Sequence, residues 1–303
     1  MTSLTHRLMR LHAWTVQKPI LALVRHTGVL RVLFTVNAVI GNKTPPGLRL
    51  KAIDLNGRPG MICGTDAPTP NGTTLYLHGG AFVIGNLRGY RHLVARLAQA
   101  AGTRGVFLDY RLAPEHPFPA ALDDAEAAWR ALSDDPDAGP LTLAGDSAGG
   151  NLALALLQRI IAKGLVLPHG VAVLCPVTDL RLENPSLAKN RSTDPLVSTR
   201  WGARGVAAYL AGADPAQPDA SPILGDFTGA PPVLIHTDRG EVLHDDACLM
   251  ADRLRHQGVD VTLTKEAGLY HVWHLNVGRT VEAGRSVAQI GAFLSDAVTR
   301  GRS

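Results

Sequence analysis

The chain has 303 residues, 46% hydrophobic and 18% charged, enough for one large α/β domain with a smaller appendage and a core that needs no covalent staple. Its three cysteines, Cys63, Cys175 and Cys248, lie far apart with no C-x-x-C pair, which argues against a disulfide scaffold or a structural zinc site and leaves buried free thiols, in keeping with a reducing cytoplasm. The formal net charge is +4, yet no basic cluster is interleaved with aromatic residues, so nucleic acid is not expected as a partner.

Residues 1–45 read as an N-terminal helical segment, ended by the Gly/Pro-containing stretch 41–47. From Met1 to Ile53 there are eight Lys/Arg and no Asp or Glu, whereas the rest of the chain is slightly acidic. Apolar stretches here are interrupted by Arg25, His26 and Arg31, so they fall short of the roughly 18 apolar residues of a membrane span. They also lack the small-residue cleavage site of a secretory signal. Two readings follow: a cap packed on its own protein, or a basic amphipathic surface in weak contact with an anionic membrane. The expected location is cytoplasmic, with membrane association under the second reading.

From Thr73 onward strand and helix patterns alternate. Buried strands are predicted at 73–80, 105–110, 140–145, 169–177, 231–237 and 259–268. Helical spacing follows at 90–102, through about Leu132, at 151–162, 245–256 and 280–294. Such alternation predicts an α/β fold with a mainly parallel sheet wrapped by helices. Residues 183–220 break the pattern with polar turns and one helix, and read as an insertion covering the crevice at the strand ends. The catalytic body is then 46–182 and 221–303.

The stretch Gly145-Asp146-Ser147-Ala148-Gly149 sits between a predicted strand and helix. Glycines two positions either side of Ser147 permit the sharp turn of a nucleophile elbow, G-x-S-x-G. The N–H of Ala148 then opens the helix and can bind an oxyanion, helped by the positive helix end. All-β serine proteases share a similar motif but place their histidine and aspartate before the serine, unlike this chain. On a sheet of this type the order is Ser, acid, His. His271 lies in a loop after a strand, with His274 three residues on; the loop after 231–237 offers Asp238 and Glu241, and position alone does not choose between them. A second set of oxyanion donors is expected from the Leu77–Phe82 loop, "LHGGAF".

Several motifs occur together in order: "HGGAF" from His78, "DYRLAPEHPFPAALDD" from Asp109, "GDSAGGNLA" from Gly145, "SPILGD" from Ser221, "EVLHDD" from Glu241 and "YHVWH" from Tyr270. In these the chain resembles the hormone-sensitive-lipase-like α/β-hydrolases, the bacterial family IV esterases. The resemblance runs from about residue 73 to the C-terminus and matches the first 50 residues only loosely, as a variable helical cap. It implies an α/β-hydrolase fold and a carboxylesterase or lipase-like serine hydrolase. By the same resemblance Ser147 is the nucleophile, His271 the base, and Glu241 rather than Asp238 the acid, a departure from the family's usual aspartate.

The resemblance also puts Gly79, Gly80 and Ala148 in the oxyanion hole, has His78 brace the glycine loop, and has Asp146 order the elbow. No metal or cofactor is implied. The expected substrate is a small apolar ester with a short to medium acyl chain. Phe82, Trp201, Leu210 and Trp273 are candidates for its pocket, with core packing the alternative for each. A homodimer through the last strand and helix is a further expectation. Competing functions are an amidase or deacetylase of the same fold, which would share all these residues, and a non-catalytic ligand receptor, against which the presence of His271 speaks.

Overall fold

The computed structural model describes residues 2–41, 44–64 and 71–300. Asn42 and Lys43, inside the break predicted at 41–47, lie outside the described residues. The chain opens with α1 (Leu4–His12), a π-helical turn (Ala13–Gln17), α2 (Lys18–Leu23) and α3 (Thr27–Gly41). Two strands follow, β1 (Arg49–Asp54) and β2 (Pro59–Gly64), then β3 (Thr73–Leu77), α4 (Leu87–Ala101), β4 (Arg104–Leu108), α5 (Ala120–Ser133), β5 (Leu141–Asp146) and α6 (Ala148–Ala162). After β6 (Val171–Leu174) come α7 (Pro185–Lys189) and α8 (Thr199–Leu210). The chain closes with β7 (Val233–Asp238), α9 (His244–His256), β8 (Val261–Glu266) and α10 (Val281–Arg300).

The eight strands form one sheet in the order β1-β2-β4-β3-β5-β6-β7-β8. From β4 to β8 all pairs are parallel; β1 with β2 and β2 with β4 are antiparallel. The expected α/β-hydrolase architecture is therefore present. Strands β3, β5, β6 and β7 are buried along their whole length, as continuous apolar runs covered on both faces by helices require. One face packs α6 and α5 around Leu152, Leu156 and Trp129; the other packs α4 and α10 around Leu93, Ile290 and Leu294.

Four elements differ from expectation. Strands β1 and β2 were not predicted: β1 is almost entirely exposed and β2 carries a proline and two glycines, so neither shows the apolar run of a buried strand. Helix α7 adds a second helix to the 183–220 segment. Helix α6 starts at Ala148, directly after the serine, and not three residues later. The open end of the sheet is what matters for chemistry: the turns leaving β3, β5 and β7, and the loop after β8, all meet above it.

Candidate active site

The turn from β5 to α6 holds Ser147 at φ 52°, ψ −118°, a backbone state that costs on the order of 1–3 kcal/mol and persists only where packing enforces it. Its neighbours explain the glycines. A Cβ on Gly145 would lie 2.3 Å from the Gly149 carbonyl oxygen, and one on Gly149 would lie 2.1 Å from that of Leu77. Backbone bonds from Ser147 N to Leu174 O (2.8 Å) and Asn151 N to Ser147 O (3.0 Å) fix the turn between β6 and the helix. The hydroxyl is thereby presented at the helix N-terminus.

His271, only 5% exposed, brings Nε2 to 2.9 Å from Ser147 Oγ, while its Nδ1 lies 2.6 Å from Glu241 Oε2. The other carboxylate oxygen of Glu241 accepts from Thr237 Oγ1 (2.7 Å) and from the Asp238 amide (2.9 Å). Burial opposes the charge on Glu241, but the hydrogen bond and charge of His271, with the Thr237 and Asp238 donors, outweigh it and hold its carboxyl below the ordinary range. Burial likewise opposes the imidazolium, yet the hydrogen bond and charge of Glu241, with the charges of Asp194 and Asp146, raise the pKa of His271. The two carboxylates that sequence order left open lie differently in the structure. Glu241 faces the imidazole, whereas Asp238 accepts from Gly240 N and Leu269 N (both 2.9 Å), tying the loop before His271 to the end of β7.

The glycine loop is anchored from below. His78 stacks on Tyr110 (4.2 Å between ring centres) and Phe107, and Tyr110 Oη donates to His78 O (2.7 Å). Arg111 forks onto Asp124 close by (2.7 Å), so the "DYRLAPEHPFPAALDD" stretch props up this loop. Burial lowers the pKa of His78 to about 4, which keeps it neutral and structural. Asp146, fully enclosed, accepts from Tyr76 Oη (2.8 Å), Tyr90 Oη (3.0 Å) and Gly79 N (3.0 Å); burial pushes its carboxyl up to about 6. That last bond corrects one expectation. The Gly79 amide is committed to Asp146 and cannot donate to a substrate. Among the described residues the amides of Gly80, Ala81 and Ala148 have no protein acceptor, and all three residues line cavities that reach Ser147.

Two cavities meet at Ser147 and His271. The first, about 500 Å³, is walled by Ala81, Phe82, Val177, Trp201, Val206 and Leu243, among others from the 183–220 segment. The second, about 340 Å³, lies under the N-terminal helices and is walled by Val16, Leu30, Leu33 and Phe34, with His12, Asn37 and Arg279 as polar members. Phe82 and Trp201 therefore sit where a pocket was expected. Leu210 and Trp273 do not. Leu210 faces the core at the end of α8, and Trp273 is wholly buried against His236 and His274, its Nε1 donating to Ser286 Oγ (3.0 Å).

Three contributors were not singled out in sequence. Asp194 accepts from the amides of Leu196, Val197 and Val242, the last directly after Glu241. Thr237 donates to Glu241 as described. Cys175 offers its Sγ to Val272 N (3.3 Å) beside Glu241 and His271. Only the position of Thr237 and Cys175 at strand ends above the site could have marked them.

A serine at a strained strand-to-helix turn, an imidazole and carboxylate from later strand ends, and free amides beside them define a serine hydrolase of the α/β class. A family model described as the alpha/beta hydrolase fold matches residues 74–275. An acetyl-hydrolase of Streptomyces hygroscopicus is 42% identical over 230 residues, covering 76% of this chain and 77% of that one. An ethyl acetate hydrolase of Pseudomonas putida is 35% identical over 217 residues, covering 69% and 67%. The crystal structure of an esterase from the bacterial hormone-sensitive lipase family superposes with a TM-score of 0.88 at 33% identity, over 97% of both chains. The chain belongs to the α/β-hydrolase family, among its bacterial hormone-sensitive-lipase-like esterases.

Proposed function

We propose that the protein hydrolyses carboxylic esters of short to medium acyl length through an acyl-enzyme on Ser147. The observation that carries this reading is the continuous relay from Ser147 Oγ through His271 to Glu241, at 2.9 and 2.6 Å. His271 Nε2 takes the hydroxyl proton as Oγ attacks the ester carbon. Glu241 fixes the tautomer and balances the imidazolium. The oxyanion rests on the amides of Gly80, Ala81 and Ala148; each such donor is commonly worth about 10²–10³ in rate. His271 returns the proton to the departing alcohol, then activates water, which attacks the acyl carbon and frees Ser147.

The apolar cavity of about 500 Å³ suits the acyl group, and the second, partly polar one suits the alcohol. The acetyl-hydrolase and ethyl acetate hydrolase among the relatives support short acyl groups. In a series of 4-nitrophenyl esters the rate is expected to peak at or below roughly C8, since pockets of this class hold drug-sized ligands. Ser147→Ala is expected to abolish turnover and fluorophosphonate labelling together. Equal rates in the variant and the parent protein would overturn the reading.

A further inference from the structure

The N-terminal helices leave two apolar stripes uncovered. On α1, Leu4, Leu8 and Leu11 follow one another at helical spacing and are exposed, Leu4 by 71%. On α3, Val29, Val32 and Val36 repeat the arrangement, Val32 being 61% exposed. Leu23, between the helices, is 74% exposed. Soluble surfaces carry single apolar side chains freely, but contiguous apolar faces of this kind mark an interaction site. The same N-terminal segment reaches the site: Val16 and Leu33 are each partly exposed and each line the cavity that reaches Ser147.

Charge selects the occupant. The first 53 residues hold eight Lys/Arg and no acid. Arg10, Lys18 and Arg31 turn inward onto backbone carbonyls of the protein, while Arg7 and Arg25 are exposed. A second copy docking by this face across a twofold axis would bring the same positive surface against itself. An anionic bilayer offers the opposite charge to the arginines and an acyl boundary to the leucines and valines.

We infer that the faces of α1 and α3 dock on an anionic lipid surface, with the mouth of the N-terminal cavity turned toward it, so that apolar esters can pass from the bilayer toward Ser147. The test is co-sedimentation of the full chain with phosphatidylglycerol/phosphatidylcholine vesicles (3:7) and with pure phosphatidylcholine. Binding to the mixed vesicles is expected to exceed that to the neutral ones at least tenfold. The variant L8D/V32D is expected to lose binding at least tenfold while hydrolysing a soluble acetate ester within twofold of the parent rate. R7E/R25E keeps the apolar stripes and is expected to lose the preference for anionic vesicles. Absence of parent binding, or equal binding by L8D/V32D, would overturn the inference. So would a dimer that L8D/V32D splits in the absence of vesicle binding. Sedimentation needs no turnover, so the outcome is independent of the ester chemistry.

Discussion

Glu241 has no solvent to share its charge with, and each of its oxygens is already engaged. Glu241→Gln keeps the shape but offers His271 Nδ1 either an amide NH₂ or an uncharged oxygen. By analogy with tautomer loss in other serine hydrolases, kcat is expected to fall by about 10³–10⁴, with cooperative unfolding retained in a thermal melt. The pH profile follows from the same pair. In the proposed mechanism His271 is a base only when neutral, and its pKa is raised. Activity should therefore fall as the solution is acidified through a midpoint above the usual histidine value of about 6.5. Asp194 is one of the charges that raises it, so Asp194→Asn is expected to move the acid limb of kcat/KM to lower pH. Asp146 gathers two phenols and an amide; Asp146→Asn removes the carboxylate that these donors face and turns the Tyr90 hydroxyl from donor to acceptor, and is expected to cost about 1–3 kcal/mol in urea unfolding. Ser147 and His271 are legible in the chain because their motifs sit at strand–helix and strand–loop junctions. The direction of a single amide is not: Gly79 and Gly80 are adjacent and chemically identical, and only the φ and ψ of the loop send one N–H to Asp146 and leave the next free. Trp273 and Leu210 misled because an apolar residue near a motif reads the same whether it faces a cavity or the core.

Among elements, the β5–α6 turn depends most on local detail. Gly149 packs against the end of β3, so Gly149→Ala must displace backbone, which costs about 1–3 kcal/mol or more. A lower urea midpoint with a sharply reduced kcat is the expected result, whereas Gly284→Ala on α10, where nothing lies within 4 Å, should leave kcat unchanged and raise the midpoint slightly, since alanine favours a helix over glycine. The parallel strands were legible because burial on both faces forces unbroken apolar runs such as Leu75-Tyr76-Leu77 and Val171-Ala172-Val173-Leu174. Strands β1 and β2 were not, because Arg49, Lys51 and Asp54 face solvent at the sheet edge and their pairing is held by backbone bonds that no side chain announces. The short α7 is five residues long and opens on a proline, too little for any periodicity to register.

Across the whole molecule, the N-terminal helices are joined to the catalytic body by apolar packing of Leu30 and Phe34, by Lys18 and by two arginines. Arg10 spans from α1 to the carbonyls of Leu269 and Thr193, and Arg31 from α3 to those of Val83 and Ala113 and to the Glu115 carboxylate. Removing both in R10A/R31A is expected to lower Tm by several degrees, as a loss of about 1–2 kcal/mol does in a chain of this size, and to raise KM for short esters more than it lowers kcat. Among the described residues no helix is long and apolar enough to cross a membrane. The segment from Val83 to Ala113 that Arg31 grips begins just after Phe82, and Phe82 itself stacks on Tyr209 of α8 with ring centres 3.8 Å apart. The Ala81 amide therefore shares a rigid joint with the cavity wall that α8 supplies. Under the proposed function, retailoring that wall for a new substrate also tilts the amide platform beside it, so selectivity and turnover are expected to drift together among variants of α8, and gains in one to demand repair of the other.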